Sequence, residues 1–218
     1  MPGSLSVTKF RNVTIKSVAP SITTTSVSGV RQSKQIAGQY WQMDIDFTSL
    51  DRSEFANVMG FISKQRNGLY SFSVTIPDIS EPAGDIHKVL EAGGSSAMDV
   101  TSNVATGSSA VAFDTGFTST DFTNAGADLN VGFRAGDFVK FSNHNKVYQI
   151  TDDVVWNATG GGTMNIFPNL VDAVTTSDTI VYDDVPFLMF STADTQEYQY
   201  SIGGDNQVSI TLQEAVGE

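Results

Sequence analysis

One stretch, Gln39 to Pro77, constrains the fold more than any other, because a strong helix signal lies there between two strong strand signals. From Gln39 the chain reads Gln-Tyr-Trp-Gln-Met-Asp-Ile-Asp-Phe-Thr, with Trp41, Met43, Ile45 and Phe47 at alternate positions and Gln42, Asp44 and Asp46 between them. Successive side chains of a strand point to opposite faces, so this pattern predicts a half-buried strand. Asp51 and Glu54 then have the spacing of a capping box, with a carboxylate in place of the usual hydroxyl. A helix over about residues 51–66 follows from that start. Phe55, Val58, Met59 and Ile62 fall on one apolar stripe, while Asn57, Ser63 and Lys64 face away. Lys64 and Arg66 in the last turn complement the helix dipole, and Asn67-Gly68 supplies a left-handed cap. A second strand is expected over Leu69 to Ile76, with Tyr70, Phe72, Val74 and Ile76 on one side and Pro77 as its end.

The rest of the chain is read as strands and turns. Val13 and Ile15 alternate with Thr14 and Lys16, and a run of Ser and Thr follows Pro20, which predicts two short strands joined by an exposed loop. The same Ser, Thr and Val content suits an extended arm lying on a neighbour, and arm and edge strand remain alternatives. Residues 91–130 are dominated by Gly, Ala, Ser, Thr and Asp, the texture of loops or weakly patterned short strands. Asp137 to Phe141 and Lys146 to Ile150, joined across Ser142 to Asn145, predict a hairpin. Val154 to Trp156 and Met164 to Phe167 predict another pair across Gly160-Gly161-Gly162. Longer strands are expected at Pro186 to Phe190, Glu197 to Ile202 and Gln207 to Leu212, the last two joined by Gly203-Gly204-Asp205-Asn206.

The tail alternates like the first part of the chain and unlike its middle. The expected fold is therefore mainly β: an antiparallel β-sandwich with one α-helix, built from residues 1–84 and 185–218. A small barrel-like β domain, residues 85–184, is inserted into it, since closure or coverage is what removes exposed strand edges.

Charge is unevenly distributed. The net charge is −12, yet through Arg66 there are eight basic residues against four acidic ones, and from Asn67 onward four basic against twenty acidic. Such asymmetry either keeps acidic loops solvated or lets a basic surface on one copy meet an acidic surface on the next. The second arrangement is a contact between unlike patches, which closes into a ring when repeated with the right rotation. Arg52, Lys64 and Arg66, at the helix ends, are the candidate assembly contacts. So acidic a chain is a poor partner for nucleic acid, which relies on clustered Lys and Arg.

No catalytic or cofactor pattern emerges. Cysteine is absent, which excludes disulfides, thiolate metal sites and cysteine nucleophiles. His87 and His144 lack metal-ligand spacing and read as exposed loop histidines. Asp152-Asp153 and Asp183-Asp184 lack the alternating oxygen ligands of a calcium loop and read as solvated turns. No Gly-x-Ser-x-Gly elbow occurs, and Gly160 to Gly162 lacks the Lys that completes a phosphate loop. No basic-then-apolar leader and no run of the roughly 18 apolar residues that span a bilayer is present, so a soluble, unanchored protein is expected. Tyr40, Tyr70, Tyr148, Trp156, Tyr182, Tyr198 and Tyr200 would be a sugar-stacking platform in a carbohydrate-binding module, or the core and interface aromatics of a β fold.

The strand-helix-strand unit resembles phage tail proteins of the distal-tail or baseplate-ring type. That family shows a strand with an aromatic and alternating apolar residues, a Leu-x-Arg-x-Glu-Phe helix start, a helix ending in Gln-Arg-Asn/Gly-Gly, and a Phe-containing strand running into Pro. Here these are Trp41 to Phe47, Leu50-Asp51-Arg52-Ser53-Glu54-Phe55, Gln65-Arg66-Asn67-Gly68 and Tyr70-Ser71-Phe72 to Pro77. Ala135 to Phe141 with Lys146 to Ile150 also resembles the small β domain that such proteins carry. The resemblance implies a non-enzymatic virion protein without cofactors, made in the host cytoplasm and built into the tail tip. There a homo-hexameric ring would join the tail tube protein to the baseplate hub, tail fibres or receptor-binding proteins. A tail-tube subunit shares much of this pattern.

Overall fold

The computed structural model describes residues 3–5, 9–35, 38–66, 68–91, 98–117, 120–121, 123, 131–157, 160–193, 195–200 and 206–217. Two compact units divide the chain: Met1–Val74 with Leu188–Val216, and Thr75–Phe187 with Gly217–Glu218. The first unit contains, in order, β1 (Gly3–Ser4), β2 (Phe10–Val18), β3 (Ser21–Thr25), β4 (Arg31–Gln35), β5 (Tyr40–Phe47), α1 (Arg52–Lys64) and β6 (Phe72–Val74). The second contains α2 (Ile86–Glu91), β7 (Asp99–Val100), β8 (Ala110–Asp114), β9 (Phe138–Phe141), β10 (Val147–Ile150), β11 (Gly162–Phe167) and β12 (Ile180–Val181). The chain then returns through β13 (Phe187–Ser191), which begins at the division, and β14 (Ser209–Glu214). The fold is mainly β, as the alternation predicts.

In the first unit the period-two pattern does its expected work. Trp41, Met43, Ile45 and Phe47 are all buried and the residues between them half-buried, so β5 is a central strand with one dry face. Burying each such side chain contributes about 1.5–3 kcal/mol. The sheet runs β1-β6-β13-β14-β5-β2, with β1 parallel to β6 and β5 antiparallel to both β2 and β14. β2 is thus an edge strand, irregular in register between Phe10 and Asn12. Glu214, the last residue of β14, adds to this order: its buried carboxylate accepts from the Trp41 backbone N–H at 3.0 Å. Helix α1 buries Phe55, Val58 and Ile62, and Phe61 meets Phe72 of β6 edge-on at 5.0 Å.

Three expected features of this unit differ. The second strand is short, because the chain turns first: Leu69 N–H donates to Arg66 O at 3.4 Å and Tyr70 N–H to Gln65 O at 3.3 Å. Leu69 and Tyr70 are consequently exposed, at 65% and 50%, while Phe72, Val74 and Ile76 are buried as expected. Of the strand expected at Glu197 to Ile202, residues 197–200 make one isolated bridge, Gln199 to Gln207, rather than a ladder, and Ser201 and Ile202 lie outside the described residues. Gly203 to Asp205, read as the following turn, lie outside the described residues. Finally, β3 and β4 pair only with each other, as a separate two-stranded ribbon.

The second unit wraps a six-stranded sheet, β12-β9-β10-β11-β8-β7, around its own core. The edge strands nearly meet, since Val100 N–H donates to Asp178 O at 3.2 Å and Ile180 N–H to Met98 O at 2.8 Å. The predicted hairpin is β9–β10, with Val147 opposite Lys140 and Gln149 opposite Phe138. The second predicted pair is not formed: β11 lies between β10 and β8, and Val154 bridges Phe133 instead. Sequence proximity suggested that pairing, but the turn closed by Asn157 N–H on Gly161 O, at 2.8 Å, does not lead into a ladder with β11. Phe113, Phe133, Phe141, Tyr148 and Trp156 fill the barrel, and Ile86 and Val89 of α2 join them.

Candidate assembly surface

The helix start is set by Asp51, whose side chain accepts from Ser53 N–H at 2.7 Å and Glu54 N–H at 2.8 Å, while Glu54 returns the bond to Asp51 N–H at 3.2 Å. These donors stabilise the ionised carboxylate, the Glu54 amide first and the Ser53 hydroxyl next, and hold the Asp51 acid below its ordinary range. Lys9 closes an ion pair on Glu54, and that hydrogen bond raises the Lys9 ammonium above its usual value. The predicted capping box is therefore present in full.

Arg52 and Lys64 are exposed at opposite ends of α1, separated by about 18 Å at the rise of an α-helix. Arg66 follows the helix at φ 49°, with its guanidinium carbon 5.8 Å from the Tyr70 ring centroid. None of the three has an ion-pair partner among the described residues. Lys64 and Arg66 lie two residues apart at the C-terminal end of α1, and Arg52 lies at its start. The structure also adds two residues that alternation had assigned to a strand, Leu69 and Tyr70, so the helix end presents two cations beside exposed apolar surface.

Gly68 is what holds that end in place. At φ +95° it adopts a conformation L side chains rarely take, and a Cβ there would lie 2.1 Å from Ser191 O of β13. The signal was available in the sequence, as a Gly just past a helix demands a turn before any strand. Asn67, the other half of the expected cap, lies outside the described residues.

The outer face of the same sheet is a polar lattice. Lys16 of β2 pairs with Asp44 of β5, Thr211 Oγ1 donates to Asp44 at 2.9 Å, and Ser209 Oγ donates to Asp46. The Lys16 hydrogen bond holds the Asp44 carboxyl below its ordinary range. A shallow polar groove of about 380 Å³ adjoins this face, lined by residues such as Gln196, Gln199, Ser209 and Thr211.

Among the described residues of the second unit, the titratable side chains serve loops and turns. Both histidines differ from the exposed-loop reading. His87 lies half-buried on α2 with Nδ1 2.8 Å from Gly84 O, and His144 is half-buried between Asn143 Oδ1 at 2.6 Å and the Tyr148 hydroxyl at 2.7 Å. Burial lowers the His144 imidazole below its ordinary value. Asp153 serves as a loop clamp, accepting from Ala135 N–H and Arg134, each at 3.0 Å; these bonds, the Ala135 amide first, lower its carboxyl. Asp152 accepts from Thr151 Oγ1 at 3.0 Å and Asn165 Nδ2 at 3.1 Å. No group of three or more His, Asp or Glu able to hold a metal ion occurs among the described residues. Tyr148, Trp156 and Tyr182 are buried in the barrel core, and burial pushes the Tyr182 phenol up to about 12. No helix among the described residues is long and apolar enough to cross a membrane.

Comparison with known proteins touches the second unit. Residues 100–185 match the family model described as distal tail protein pb9, B domain. That span includes five of the six strands of the barrel in full, β8 to β12, and the Val100 end of β7. No curated protein matches the chain.

Proposed function

We propose that this chain, placed in a phage distal tail family with a structural role in the tail by the match over residues 100–185, is the ring-forming subunit of the tail tip. The observation that carries the reading is the agreement of that match with the nearly closed barrel of the second unit, carried by a chain with a separate sheet-and-helix unit. The first unit would form a homo-hexameric ring, and the ring would join the tail tube protein to the baseplate hub, tail fibres or receptor-binding proteins. The distal-tail match favours this position over that of a tail-tube subunit.

The role is structural rather than enzymatic. What supports this is that the polar groups brought together serve caps, loop clamps and sheet lattices. The cations at the end of α1 and the acidic remainder of the chain are the complementary surfaces that a head-to-tail contact uses. Light scattering of the purified chain across a salt series tests the reading. A discrete six-fold mass that falls with added salt is expected, because exposed charge pairs are screened. A monomer whose mass ignores both salt and concentration overturns it.

A further inference from the structure

The β3–β4 ribbon stands apart from both six-stranded sheets. All ten of its strand residues are exposed, on both faces of the ribbon. Five residue pairs run from Ser21 opposite Gln35 to Thr25 opposite Arg31, and the turn is closed by Ser26 N–H on Val30 O at 2.9 Å and Gly29 N–H on Ser26 O at 2.9 Å. An isolated two-stranded hairpin is marginal in water, since it has no face to bury. Yet this one carries Ile22 and Val30, each 56% exposed, and a fully exposed Val27 at its tip. At strand rise it reaches about 17 Å along its length.

Its charge names the occupant. Residues 21–35 hold two cations, Arg31 and Lys34, and no acid, while residues 75–187 hold four basic residues against fifteen acidic ones. Neither Arg31 nor Lys34 has an ion-pair partner among the described residues. We propose that this ribbon is an arm that packs on the acidic surface of a second copy of the chain, with Arg31 and Lys34 facing carboxylates and Ile22, Val27 and Val30 covered by the contact. The inference rests on the ring reading and supplies one of its contacts. Because the arm and its acceptor are different surfaces, the contact is heterologous and can propagate around a ring.

The test compares the full chain with two variants: Arg31→Glu/Lys34→Glu, and replacement of residues 21–35 by a short Gly-Ser turn. Sedimentation over a concentration series reads assembly, and near-ultraviolet circular dichroism checks that each variant keeps its fold. Zero-length carbodiimide cross-linking of the parent, mapped by mass spectrometry, reads which copy's acid Lys34 touches. Expected are an assembled parent with Lys34 joined to an acid of another copy, at least tenfold weaker assembly for the charge reversal, and a monomer for the replacement. A parent that assembles while both folded variants assemble equally well overturns the arm and leaves the ring reading standing. A monomeric parent overturns both.

Discussion

The chain contains two antiparallel hairpins of similar size with opposite surroundings. In β9–β10, Val139, Phe141, Tyr148 and Ile150 are buried in the barrel. In β3–β4 no residue is buried. Hydrogen-bond ladders are common to both, so the ladder does not decide which hairpin is held; the apolar face does. One hairpin finds its second layer within its own unit. The other projects Ser, Thr and cations from both faces, as expected of a surface whose second layer comes from elsewhere.

The largest expected effect tests that contrast directly. Phe141→Ala removes a fully buried ring from the barrel and should destabilise the second unit by about 3–5 kcal/mol, whereas Ile22→Ala in the ribbon should change the isolated subunit's stability by at most ~0.5 kcal/mol. Chemical denaturation of dilute, unassembled protein separates them, and equal losses would show that the ribbon is packed within its own subunit. Next comes Gly68→Ala. A Cβ at φ +95°, 2.1 Å from Ser191 O, should cost roughly 1–3 kcal/mol and displace the turn that exposes Leu69 and Tyr70. A wild-type melting temperature for this variant would mean that β13 yields easily at Ser191.

Smaller still is the cap. Asp51→Ala removes the acceptor of two helix N–H groups and should cost about 1 kcal/mol, with Asp51→Ser recovering most of it. Failure of the serine to rescue would place the value of Asp51 in its neighbours rather than in capping.

These same elements show what the sequence could reveal. The capping box, the alternation of β5 and the β9–β10 hairpin were legible because each is decided within a few residues of itself. Alternation gives propensity but not a partner, and the described residues of the strand expected at Glu197 to Ile202 find only one bridge, at Gln207. Likewise Val154 to Trp156 lies close in sequence to β11, yet Val154 bridges Phe133, on the far side of the β9–β10 hairpin in sequence. Of the proposed assembly surface, Lys64 and Arg66 are legible as helix-end cations. Leu69 and Tyr70 are not, because their exposure depends on the Gly68 turn and the approach of Ser191.

The smallest effect concerns the turn inside the buried hairpin, where β9–β10 does contain a group that water could reclaim. Asn143 Oδ1 accepts from the His144 ring, so Nδ1 carries the proton and Nε2 accepts from the Tyr148 hydroxyl, whose oxygen in turn accepts Val171 N–H at 3.1 Å. The network is complete only while His144 is neutral; a proton on Nε2 would turn the Tyr148 hydroxyl from donor to acceptor there and take Nε2 away from its hydrogen. Burial, aided by Lys140 and Lys146 and opposed by Asp172 and Asp178, keeps the folded pKa below the unfolded value near 6.5. The unfolded chain therefore binds more protons in that window, and stability rises with pH across it. The contribution is complete above the unfolded value and is lost as pH falls through the folded one. Denaturation at pH 7.5 and 5 should show the second unit losing stability on acidification, with the His144 step absent in His144→Phe, a variant that is itself weaker at neutral pH because the Tyr148 hydroxyl loses its acceptor. If parent and variant lose equal stability between those two pH values, the acid sensitivity belongs to the carboxylates, and this hairpin is held by its apolar face alone.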